Sequence, residues 1–179
     1  MINQPNDSSS SSVLGRFLTG INESVFLTKL GIANIELVNY LNGLLIQFIR
    51  ADAILIPNGK TDQTARKIIE MLDVAETSRA PKRRDIYQAI GDYTLFWVGV
   101  YPESLNKRQT RQTTNWIHNF TRQGKKCYAL ASEMKPSALQ PSEQVLHCLS
   151  QQYELCAFGL RESRREWEQY CSQPSQLIF

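Results

Sequence analysis

Histidine is scarce in this chain: His118 and His147 are the two present, and neither stands in an H-E-x-x-H arrangement. The four cysteines, Cys127, Cys148, Cys156 and Cys171, include no C-x-x-C pair, so a zinc ribbon or a thioredoxin-like redox site lacks sequence support. No G-x-x-x-x-G-K followed by Ser or Thr, no G-x-G-x-x-G and no G-x-S-x-G occurs. Nucleotide, dinucleotide and serine-hydrolase chemistries therefore lose their usual signatures. The first residues carry neither a basic start nor an apolar h-region, and the expected setting is a reducing cytoplasm with free, mostly buried thiols. Long hydrophobic runs are missing too. The best candidate for a membrane span, residues 40–56, is interrupted by Asn42, Gln47, Arg50 and Asp52, short of the ~20 apolar residues a span requires. A soluble protein is expected.

What is present fits one domain. The chain has 179 residues, 42% of them hydrophobic and 21% charged, with a formal net charge of +3. That length suffices to bury roughly 70% of the unfolded surface. The charge is far milder than the footprint of a dedicated nucleic-acid binder. Residues 1–12 form a polar, serine-rich leader with little to bury, for which disorder is expected. A single helical domain is expected over 13–173, and Pro174 separates it from an apolar tail, 174–179, ending in "QLIF".

Apolar spacing is helical throughout. Leu37, Leu41, Leu44 and Phe48, widened by Val38, Leu45 and Ile49, predict a helix over 34–56 with one broad buried face. Thr61 or Asp62 can cap a second helix, 62–78, in which Ala65, Ile68, Ile69, Leu72 and Ala75 share a stripe. The run "AIGDYTLFWVGVYPE", 89–103, has the aromatic and β-branched content of a buried strand. Upstream residues decide for a helix: Ile86, Ile90, Tyr93, Trp97 and Val100 step by four and three, and Pro102 ends the element. Apolar residues surround the second half of this helix, 82–101, which places it at the centre of the fold. Gly91 and Gly99 cost helix propensity of about 1 kcal/mol each, and close approach of a neighbour is their expected reason. A short helix with Trp116, Ile117 and Phe120 is expected to stop at Gly124 in the C-cap position. A second short one spans "KKCYALASEM", and a long helix runs over 142–170. The sum is an all-α, single compact multi-helix domain of about five to seven helices around helix 82–101, joined in part by Trp97, Trp116 and Trp167.

Four constellations could carry chemistry. Asp85, Gln88 and Asp92, spaced three and four apart, line one face of the central helix together with Gly99. A carboxylate there against an aromatic wall could act as acid or base; the plainer expectation is that Asp92 pairs with an arginine and Asp85 sits exposed near the helix start. His147 and Cys148 are adjacent and diverge by about 100° on a helix. His118 could meet Cys127 or Cys148 only through the tertiary fold. Basic clusters at 79–84, 107–111, 122–126 and 161–165, two of them flanking Trp116 and Phe120, offer a route to nucleic acid. Glu162, Glu166 and Glu168 dilute the last, and solvated helix ends explain such runs more simply. The terminal QLIF could dock on a partner or on its own domain.

No catalytic, cofactor-binding or metal-ligating residue is assigned, and no cofactor is expected. The leading expectation is a non-enzymatic protein–protein interaction module, with a protein partner or self-association through the 37–49 face and no membrane contact. An RNA- or DNA-binding accessory protein is the alternative. A small-molecule binder or enzyme with a pocket near Asp92 is the third.

Overall fold

A computed structural model describes residues 7–55, 61–105, 116–135 and 141–172, with side chains described for 13–49, 63–105, 116–135 and 141–172. The cluster 107–111 and the tail 174–179 lie outside the described residues. Eight α-helices and no strand occur among the described residues: α1 (Asp7–Glu23), α2 (Ile35–Leu55), α3 (Thr61–Thr77), α4 (Ala80–Val100), the single turn α5 (Pro102–Leu105), α6 (Trp116–Ser132), α7 (Glu143–Gln151) and α8 (Tyr153–Ser172). A π-helical segment, Ser24–Lys29, links α1 to α2. None of these helices is long and apolar enough to cross a membrane.

The protein is an all-α domain built around α4, which packs against α2, α3, α5, α6 and α8. Ile90, Leu95, Phe96 and Val100 of α4 are fully enclosed. Phe96 stacks on Phe48 of α2 with centroids 4.8 Å apart and meets Trp97 and Tyr101 edge-on. Such aromatic pairs add about 0.5–1.5 kcal/mol each beyond the area they bury. The stripe Leu37, Val38, Leu41, Leu44 and Leu45 is covered by the same chain, with no more than 4% exposure at any of them. The α1–α2–α8 junction holds a buried polar relay, in which Ser163 donates to Asn22 at 2.8 Å and Asn22 donates to Asn42 at 2.7 Å.

Two helix boundaries differ from the sequence reading. Helix α6 does not stop at Gly124 but continues to Ser132, absorbing the separate helix expected at "KKCYALASEM". Gly124 is buried there because Thr94 and Tyr153 press on its backbone. The expected helix 142–170 breaks at Gln152 into α7 and α8. Gln152 leaves helical geometry (φ −107°, ψ 25°) while its N–H still closes on the Cys148 carbonyl. Gly99 meets the expectation of close approach, its Cα side facing the Ala157 backbone of α8. Gly31, with φ 65°, turns the chain after the π segment in a conformation that favours glycine. Helix α1 begins at Asp7, inside the serine-rich stretch.

Candidate functional site

Arg84, Gln88 and Asp92 recur every four residues on α4 and so form one polar ridge on the central helix. Asp92 is met from two other helices. Tyr40 of α2 donates to its Oδ1 at 2.5 Å, and Tyr128 of α6 donates to the same oxygen at 2.7 Å. Gln88 donates its Nε2 to the Tyr40 hydroxyl at 3.1 Å. The expected arginine partner is absent from these contacts: two tyrosine hydroxyls occupy that place, because α2 and α6 bring aromatic side chains to this level of α4. Gly91 makes the arrangement possible, since a Cβ there would stand 2.6 Å from the Tyr128 ring.

Burial sets the electrostatics. Desolvation raises the Asp92 pKa from 3.8 to about 6, against the opposing hydrogen bonds from Tyr40, Tyr128 and Gln88. Desolvation likewise lifts both tyrosines well above their ordinary range, and the neighbouring carboxylate adds to it. The cluster is thus a node that joins three helices, with a carboxyl that takes up its proton near pH 6 and tyrosines that stay protonated as donors.

Arg84 ends the basic cluster 79–84, for which the sequence predicts a solvated helix end or a nucleic-acid contact. It is fully buried on α4, donating Nε to the Met134 carbonyl at 3.2 Å and Nη2 to the Pro141 carbonyl at 2.9 Å. It thereby fastens the two ends of the α6–α7 connection. Its Nη1, the Asp85 Oδ1 and the Gln88 Oε1 are buried without a hydrogen-bond partner. Asp85 is therefore not the freely solvated helix-start residue expected of it. The one available sequence signal was the four-residue spacing of Arg84, Gln88 and Asp92, hidden because Arg84 ends a basic run.

Most arginines of the described basic clusters are committed to the fold. Arg83 donates to the Ala75, Glu76 and Ser78 carbonyls, closing the C-terminal end of α3. Arg161 donates to the Val98 carbonyl at 3.1 Å. Arg164 donates to the Val100 carbonyl at 2.6 Å, pairs with Glu103 and Glu168, and lies 4.4 Å over the Tyr101 ring. Together they satisfy the orphan carbonyls where α4 ends. Lys125 pairs with Glu154 at 2.8 Å, and Arg165 pairs with Glu162. Arg164→Gln is expected to lower stability by about 1–2 kcal/mol in denaturant unfolding. Arg165→Gln should stay within about 0.5 kcal/mol of the parent. Equal losses would show that these arginines are interchangeable surface charge.

His147 and Cys148 both line an open groove of roughly 610 Å³ between α6 and α7, with Glu133, Glu143 and Gln144. Desolvation raises the Cys148 thiol pKa and pushes Cys127 to about 11 and Cys156 to about 12. Thiols so placed remain protonated near neutral pH and are poor nucleophiles. His118 lies in the first turn of α6, and Cys127 is buried on the same helix, where Gln123 donates to its sulfur. Among the described residues no group of three or more His, Cys, Asp or Glu is placed to hold a metal ion.

No protein-family model, no curated protein and no solved structure matches this chain.

Proposed function

We propose that the chain is a non-enzymatic helical module that binds another protein, with the outward face of α8 as its contact surface. The observation that carries this reading is a contrast between polar and apolar side chains. Asp92, Arg83, Arg84, Arg161 and Arg164 are used in holding helices together, whereas large apolar side chains face solvent. Leu155 and Phe158, one turn apart on α8, are 39% and 44% exposed. Leu27, 41% exposed, lies on the π segment that packs on α8 through the Phe26 ring against Gly159. Exposed apolar groups carried by a rigid helix are what a partner's own apolar side chains can desolvate.

The test recovers the tagged protein from its native host, with and without nuclease, beside a Leu155→Glu/Phe158→Glu variant. A defined protein partner that survives nuclease is expected, with recovery falling at least about tenfold in the variant. Thermal unfolding of the variant should fall far less than its recovery of partner, because each side chain already stands about two-fifths exposed. Material that vanishes with nuclease would replace this reading with the nucleic-acid one. A partner retained by the variant would move the contact elsewhere.

A further inference from the structure

The groove between α6 and α7, roughly 610 Å³ in volume, takes no part in the α4 polar ridge or the α8 face. Clefts that seat ligands run from about 300 to 1,000 Å³, and the open side of this one admits a length of extended chain. Its charge is one-sided. Glu133, just past the end of α6, and Glu143, in the first turn of α7, are both exposed and line it from its two sides. Neither forms an ion pair among the described residues. No lysine or arginine is among the described lining residues, and exposed Lys135 lies outside them. Arg84 reaches the Met134 carbonyl from the core and is not part of the lining either. The last turn of α6 holds no basic residue, so the negative end of its dipole adds to the field of Glu133. Cys148, half-buried in the same groove, offers a small apolar surface of the kind that takes the methylene stem of a long side chain.

We infer that this groove seats a basic segment of a partner protein, with a lysine or arginine head between Glu133 and Glu143 and its stem along Cys148. Charge selects the occupant. An apolar segment would strip water from both carboxylates without replacing it, and a nucleic acid would set phosphates against them. A cationic side chain satisfies both carboxylates at once. The whole chain carries a net charge of +3, so attraction of a cation here is a property of the groove and not of the molecule's overall charge. The site lies on α6 and α7, apart from Leu155 and Phe158, so it and the α8 contact stand or fall separately.

The peptide GRKRG and its uncharged counterpart GQQQG test this on the full chain. At saturation GRKRG should slow alkylation of Cys148 by N-ethylmaleimide about threefold or more, by covering the thiol with a side-chain stem. Exposed Cys171 should react as before. Glu133→Gln/Glu143→Gln should weaken GRKRG binding roughly three- to tenfold, the weight of two partly exposed ion pairs, and remove the protection of Cys148. Both replaced side chains are exposed, so thermal unfolding of this variant should follow the parent's. Equal protection of Cys148 by GQQQG, or GRKRG binding that the variant leaves unchanged, would overturn the inference. So would GRKRG binding that leaves Cys148 as reactive as in the free protein, which would place the cation outside this groove.

Discussion

Replacing Gly124 with alanine should destabilise the fold by about 2–3 kcal/mol, the cost of overpacking a closed core site. The sign is informative, because alanine is otherwise favoured over glycine within a helix by about 1 kcal/mol. A Cβ at Gly124 would stand 2.3 Å from the Thr94 hydroxyl oxygen and 2.6 Å from the Tyr153 ring. Neither neighbour can withdraw. Thr94 is fully buried with its hydroxyl held by the Ile90 and Gly91 carbonyls at 2.9 Å, and Tyr153 is fully buried against Tyr128. At this chain length the midpoint of thermal unfolding should fall by roughly 4–12 °C. Gly43→Ala on α2 is the matched control, since nothing lies within 4 Å of a Cβ there. It should stabilise by up to about 1 kcal/mol. A stabilising Gly124→Ala would show that Thr94 and Tyr153 leave room for a Cβ inside a continuous α6.

The second large effect is a dependence of stability on pH that runs opposite to ordinary acid denaturation. Asp92 has a folded-state pKa of about 6 against 3.8 when unfolded. A raised folded value means that the native state holds the proton more tightly. The stability from this group is fully present below about 3.8 and is lost as pH rises through about 6. The difference amounts to roughly 3 kcal/mol, reduced somewhat by screening at the exposed edge of the residue. Asp92→Asn removes the charge while keeping an acceptor for Tyr40 and Tyr128, and its new N–H₂ lies within the same polar ridge as the unpartnered Gln88 oxygen. The variant should be as stable as the parent or more so at pH 7–8, with a flatter profile between pH 4 and 7. Tyr128→Phe should do the reverse, costing about 1–3 kcal/mol at pH 8 and less at pH 4, where the carboxyl is neutral. Denaturant unfolding at several pH values checks both. An Asp92→Asn profile parallel to the parent's would show that the carboxylate is solvated in the fold.

Helices α2, α3 and α4 were readable in the sequence because apolar spacing marks each one independently of its neighbours, although Ile69 of the α3 stripe is 58% exposed and only Ile68 and Ala75 of it are buried. The central place of α4 followed from apolar residues around the circumference of its second half. Gly124 misled because a glycine that ends a helix and a glycine that admits a tyrosine ring look alike in one dimension. The break at Gln152 carries neither proline nor glycine, so nothing local announces it. The polar ridge was half visible: Asp85, Gln88 and Asp92 could be placed on one face. Tyr40 and Tyr128, 52 and 36 residues away from Asp92, could not be paired with it from periodicity. Arg84 looked solvated beside Lys82 and Arg83, and its burial depends on carbonyls at Met134 and Pro141 that only the folded chain brings near.

The antiparallel pairing of α1 and α8 has a consequence during synthesis. Asn22 and Ser163, which hydrogen-bond in the finished protein, are 141 residues apart. At about 5–20 residues per second, the wall that closes over Leu18 and Ile21 leaves the ribosome roughly 7–30 s after they do. Until then α1 can shelter only against α2, and nascent chains halted before α8 should be captured by chaperones through this N-terminal stripe.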